Sequence, residues 1–434
     1  MKTPRLHLTA LILSLSPAPL LAQLPAPTPT SPEAAANAKQ AGMAVEATPV
    51  LKASEVLRPE IIKGPHHTVA EDIPTAGFLN QYTIQSDFGV FHVKGNALLA
   101  KRIHEINAMA ALAKIEKSDE FKKALANTAK MPLHMVENLI DDPKGTAQQI
   151  GDGAKRFVHR AGEMFQRKGQ KTKEEDNAFQ SALGFSKAKR KLCWDLKVDP
   201  YSTNPELQKK LDDVAWATFA GEFGLKLGML AIPGGAGTAI SGVTTSSTVA
   251  ESIRDNSPVD LSAKNRDALQ AMGINENLLE AFLATPDLSP TQQTVIVQEL
   301  SNIPQARGRD AFIQMCLSAR SEADGIFFQR ISQLMRAYHE KSSPVLTIFN
   351  LYGLPAAYTQ DQSLIIPLEL DYGSWSADAA KLSAAIGSYQ IPGMPIKQRK
   401  LVITGKVTPM AKAGLEKAGI QTIENVYNEG VYKK

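Results

Sequence analysis

The residues best placed to do chemistry in this chain stand just after two short β-rich runs. Asp371, Tyr372, Ser374 and Trp375 follow the apolar run 364–370, and Gly405, Lys406 and Thr408 follow the run 401–404. In a parallel sheet, ligands bind outside the carboxyl ends of the strands. A carboxylate and an ammonium meeting there could hold a polar ligand or polarise a bond, so Asp371, Tyr372, Ser374 and Lys406 are the candidate binding residues. The plainer reading is a helix cap beside a surface ion pair, because Thr408 precedes Pro409 as an N-cap precedes a first turn.

Other catalytic spacings break at a named position. A zinc-protease helix needs two histidines one turn apart. His104-Glu105 is followed by Ala108 where the second belongs, and His339-Glu340 by Ser343. Ser186-Lys187-Ala188-Lys189 fits Ser-x-x-Lys but lacks the companion motifs of that chemistry and sits in a basic run. Gly235-Ala236-Gly237 has Ile240 where a dinucleotide fingerprint needs its third glycine. His66-His67 with Glu71 and Asp72 read as surface polar residues rather than ligands. The residues therefore point to no metal and no cofactor.

Net charge is +4, and +2 once Lys2 and Arg5 are set aside with the opening segment. So small a balance gives no footprint for nucleic acid. The two cysteines, Cys193 and Cys316, are candidates for a disulfide in an oxidising compartment. Against that, Phe312, Met315, Cys316 and Ala319 share helical spacing, which places Cys316 on an apolar face.

The compartment is read from the opening residues. Lys2, Arg5 and His7 precede the apolar stretch 8–15, and Ala22-Gln23 offers a cut site. That is the pattern of a secretory signal peptide over 1–22. It is too short to span a bilayer, which takes about 20 apolar residues. Residues 23–77 open rich in Pro, Ala and Thr and read as a disordered leader with one short helix near 54–57.

The elements that must position the candidate residues follow from periodicity. Alternation on both sides of Asp87-Phe88-Gly89 predicts a β-hairpin, and Gly95-Asn96 closes it. From 97 to about 340 the pattern is helical. Thr203 or Asn204 with Pro205 opens one helix, Ser289 with Gln292 has capping-box spacing, and Gly273 stops another helix. After Pro344, short strands at 345–351, 364–370, 401–404 and 420–423 alternate with helices at 377–389 and 409–418. This predicts βαβ units and a largely parallel sheet.

The fold class expected is α+β: a mostly helical body with an N-terminal β-hairpin over 78–342, then a small α/β unit over 343–434. Between Trp216 and Val243, small residues four apart (Ala217 and Gly221; Ala220, Gly224 and Gly228) precede the break at Pro233-Gly234-Gly235. Such a hairpin suits close helix packing, and Glu222 and Lys226 disfavour membrane insertion. The functional expectation is an exported, periplasmic or secreted binding protein without catalytic activity, its partner a protein or envelope component. The rivals are a membrane-active protein using 216–243 and a hydrolase using Asp371 and Lys406.

Overall fold

The computed structural model describes residues 45–75, 77–128, 173–220, 247–427 and 430–433. The signal segment, the earlier part of the leader and the small-residue stretch beyond Ala220 lie outside the described residues. The chain mixes helix and sheet, as an α+β class requires.

The first departure from expectation comes at once. Part of the stretch assigned to a disordered leader is folded. Strand β1 (Val50–Lys52) pairs antiparallel with β4 (Asp72–Pro74), and between them lie α1 (Ala53–Val56), α2 (Pro59–Ile62), β2 (Lys63–Gly64) and β3 (His67–Val69). The physical reason is burial: Ala53, Leu57, Ile61, Val69 and Ile73 are all buried in one core. Composition averaged over 23–77 hides them behind the prolines that precede residue 45.

Strands β5 (Gln81–Ser86) and β6 (Gly89–Lys94) form an antiparallel pair across Asp87-Phe88 and complete a sheet ordered β2-β3-β5-β6. Helix α3 (Asn96–Glu116) leaves this sheet and is buried over most of its circumference. Its neighbours in the first core include α4 (Asp119–Thr128), α5 (Lys173–Leu196) and α6 (Pro205–Ala220), which supply Phe121, Leu192, Cys193, Leu207 and Leu211.

Helix α7 (Ser247–Asp255) buries Val249 and Ile253 in a small cluster with Val295. A second core begins with the helices α8 (Pro258–Ala271), α9 (Glu276–Leu283), α10 (Pro290–Ser301), α11 (Arg309–Cys316) and α12 (Glu322–Lys341). It continues without interruption into the C-terminal sheet, so the cores do not divide at residue 343. Helix α12 is the hinge between them. Ala323 and Ile326 belong to the first core, whereas Phe328, Ile331 and Leu334 belong to the second.

The C-terminal sheet is ordered β13-β11-β9-β8-β7. Its strands are β7 (Val345–Leu351), β8 (Leu354–Thr359), β9 (Ser363–Leu368), β11 (Gln398–Ile403) and β13 (Ile420–Ile423). β9, β11 and β13 run parallel, but β7-β8-β9 is an antiparallel meander. The sheet is therefore mixed, not largely parallel. The extra strand β8 carries Pro355, Ala356 and Ala357, residue types depleted in strands, and is buried throughout. The turn into it is Tyr352-Gly353, with φ of 53° and 90°. Successive positive φ values give the tight turn whose twist suits a hairpin.

A buried charge network fastens the helical body. Lys101 on α3 bonds Asp199 at 3.1 Å and Glu322 at 2.7 Å, and Arg102 bonds Glu105 at 3.0 Å and Glu322 at 3.1 Å. Ser202 and Asn204 donate to Glu105, and Thr291 donates to Asp199. The segment 199–204 thus ties α3 to the first turns of α10 and α12.

The two cysteines are free thiols, the second of the two readings the sequence left open. Cys193 is packed in the first core and Cys316 in the second, so each is buried against its own apolar neighbours.

Candidate functional site

The sequence-selected residues do meet. Two short strands, β10 (Tyr372–Gly373) and β12 (Lys406–Val407), pair in parallel beyond the carboxyl ends of β9 and β11. Gly405 permits the approach: a Cβ there would stand 2.1 Å from the carbonyl oxygen of Asp371. The amide of Lys406 donates to that same carbonyl at 3.2 Å.

The side chains then make separate contacts, and among the described residues no ion pair joins Asp371 to Lys406. Asp371 turns inward and is fully buried. Its Oδ2 accepts from the amides of Asn80 at 2.9 Å and Asn96 at 3.1 Å. Helix α3 starts after Gly95, which has no side chain to cap it, and Asp371 takes that role from 275 residues away. A negative group there satisfies an orphan amide and faces the positive end of the helix dipole. Lys406 turns the other way, its ammonium over the rings of Tyr372 and Tyr432, 5.6 Å from each centroid. Ser374 is half-buried and contributes a carbonyl, which accepts from the amide of Ser376 at 3.1 Å.

Beneath Asp371 lies a small cavity lined by Asn96, Ala97, Arg330, Glu369, Asp371, Thr404, Tyr427 and Tyr432. It has room for about one water molecule. Glu369 and Asp371 reach it together because residues two apart on an extended chain share a side. Burial pushes Glu369 up to about 8, helped by the charge of Asp371 and opposed by Arg330. Burial also pushes Asp371 up to about 7, against the two amides that favour its ionised form. Glu369 Oε2 is buried without a hydrogen-bond partner. Arg330 is itself buried and donates to Gln333 Oε1 at 3.0 Å.

On the outer side of β10 and β12 is a shallow notch between two helix starts. Helix α13 (Ala377–Ser388) is capped by Ser376, and α14 (Pro409–Lys417) by Thr408. Gly414 on α14 leaves room for the Trp375 indole, which a Cβ would meet at 2.4 Å. The notch holds a carboxylate from the far end of the chain. Glu46 accepts from the amide of Trp375 and from the Thr408 hydroxyl, while its own amide donates to the Trp375 carbonyl at 3.0 Å.

Of the site residues, sequence reading found Asp371, Tyr372, Ser374 and Lys406 but missed Glu369, Arg330, Tyr432 and Glu46. A signal for Glu369 was present: it is the one charged residue in the otherwise apolar run 364–370. The others are brought in by tertiary contacts alone. Among the described residues no group of three or more His, Cys, Asp or Glu could hold a metal ion, and no helix is long and apolar enough to cross a membrane. Compared with known protein families, curated proteins and solved structures, the chain matches none.

Proposed function

We propose that the protein is an exported binding protein without catalytic activity, and that the notch beside β10 and β12 is the face it offers to a carboxylate-bearing protein or envelope component. Glu46 carries this reading. Its carboxylate already satisfies the Trp375 amide and the Thr408 hydroxyl, so these donors are disposed to take an acidic group. The proposal of export rests on the basic and apolar opening of the chain.

A tethered carboxylate competes at an effective concentration of about millimolar. An acidic partner must therefore outcompete Glu46. Calorimetric titration of the mature chain with a triglutamate peptide tests this. Glu46→Gln should bind at least about tenfold more tightly than the wild type, because the internal competitor is lost. Absence of binding to both forms at several times that concentration removes the proposal.

A further inference from the structure

Glu369 and Asp371 share a small cavity with a single guanidinium, that of Arg330. Donors there are unevenly distributed: Asp371 has the amides of Asn80 and Asn96, whereas Glu369 Oε2 has none. An ionised Glu369 would be a second buried anion with an unsatisfied oxygen, whereas the neutral acid carries its own donor. The remaining titratable groups do not relieve this. Tyr82 donates to Asn96, Tyr432 accepts from Asn80 at 2.6 Å, and Tyr427 is itself raised by burial. Lys406 lies over the Tyr432 ring, where its ammonium is engaged with the aromatic face.

One wall of the cavity is the C-terminal tail, residues 430–433, through Tyr432. The tail is tied down by a short antiparallel bridge between Leu57 and Tyr432. The amide of Arg58 donates to Val431 at 3.0 Å, and that of Lys433 to Val56 at 2.8 Å. Every other wall belongs to a helix, a sheet strand or the segments leaving it. Release of the tail breaks its backbone bonds and those of Tyr432 with Asn80 and of Lys433 Nζ with Ser54, and uncovers Val431 and Tyr432 of the first core, while the helices and sheets stay paired.

We propose that Glu369 is a proton-operated clasp: as the neutral acid it keeps the junction closed under the tail, and on losing its proton it releases residues 430–433 and admits water. The closed form holds a proton that the open form, at an ordinary carboxyl affinity, does not. Opening therefore becomes more favourable as pH rises, by about tenfold per pH unit while the closed form stays protonated.

Hydrogen–deuterium exchange of the amides of Arg58 and Lys433, divided by the intrinsic rate at each pH, reads this directly. From pH 7 to 8 the normalised rates in the wild type should rise several-fold, up to about tenfold, while amides inside β9 stay protected. In Glu369→Gln the rise should fall below about twofold. Should that variant not fold, Glu369→Met removes the charge and the hydrogen-bonding demand together and should give the same flat profile. A pH-independent tail in the wild type overturns the clasp. So does an equal rise in the wild type and a charge-free variant, or a rise shared by β9, which would report global unfolding.

Discussion

Carboxyl groups in this molecule are pulled in opposite directions, and the balance gives its stability a definite pH profile. Glu369 and Asp371 are held up at about 8 and about 7, chiefly by burial. Burial alone would also raise Glu322, but Lys101 and Arg102 outweigh it and hold Glu322 at about 2. Asp361 likewise sits at about 2, because hydrogen bonds from Thr359 and Ser363 and the charge of Lys400 overcome its desolvation. The raised pair binds protons more tightly folded than unfolded. Its contribution is complete at acid pH and declines as pH rises from the ordinary carboxyl range toward 8. The depressed pair behaves oppositely, its contribution being lost as pH falls toward 2. The urea midpoint should therefore be highest at about pH 4 and fall on both sides, the alkaline limb running from about pH 4.5 to 8. Glu369→Gln should flatten only the alkaline limb. A midpoint that climbs steadily to pH 9 would contradict this assignment.

Among the elements, the crossing of β10 and β12 depends on one absent side chain. Gly405→Ala would drive a methyl into the carbonyls of Leu370 and Asp371, 2.5 and 2.1 Å away, both of them backbone. Loss of about 1–3 kcal/mol is expected in chemical denaturation. Local chemistry made much of this architecture readable in advance. Ser289 and Gln292 form the capping box of α10, and Thr408 caps α14 with Pro409 in its first turn. The alternation through Tyr82, Ile84 and Val93 marked the hairpin because one face of that sheet is buried. β8 escaped because proline and alanine carry no strand signal, and its loss turned an antiparallel meander into an inferred parallel crossover. The folded part of the leader escaped because its apolar residues are held by partners far along the chain. The site was legible to the same extent: strand ends identified Asp371 and Lys406, whereas the direction each side chain takes depends on Asn80, Asn96 and Tyr432, which no local pattern connects to them.

At the scale of the molecule, two cores share helix α12, and the network around Lys101 sits at the start of that helix. Lys101 is buried with Asp199 and Glu322, so removing its charge leaves Asp199 without a cation and Glu322 with Arg102 alone. Lys101→Met should destabilise by about 3 kcal/mol or more. The loss should be smaller when Glu322→Gln is made in the same chain, because one of the two carboxylates that Lys101 balances is then absent. Equal effects would show the network to be energetically inert. The antiparallel contact of Leu57 with Tyr432 has a consequence for biosynthesis. At ribosomal rates, roughly twenty seconds to over a minute separates the emergence of these two residues. Throughout that interval the first core lacks its final stitch, so a nascent or prematurely terminated product presents an unfinished seam to chaperones and proteases. Only a chain that reaches Tyr432 can close it.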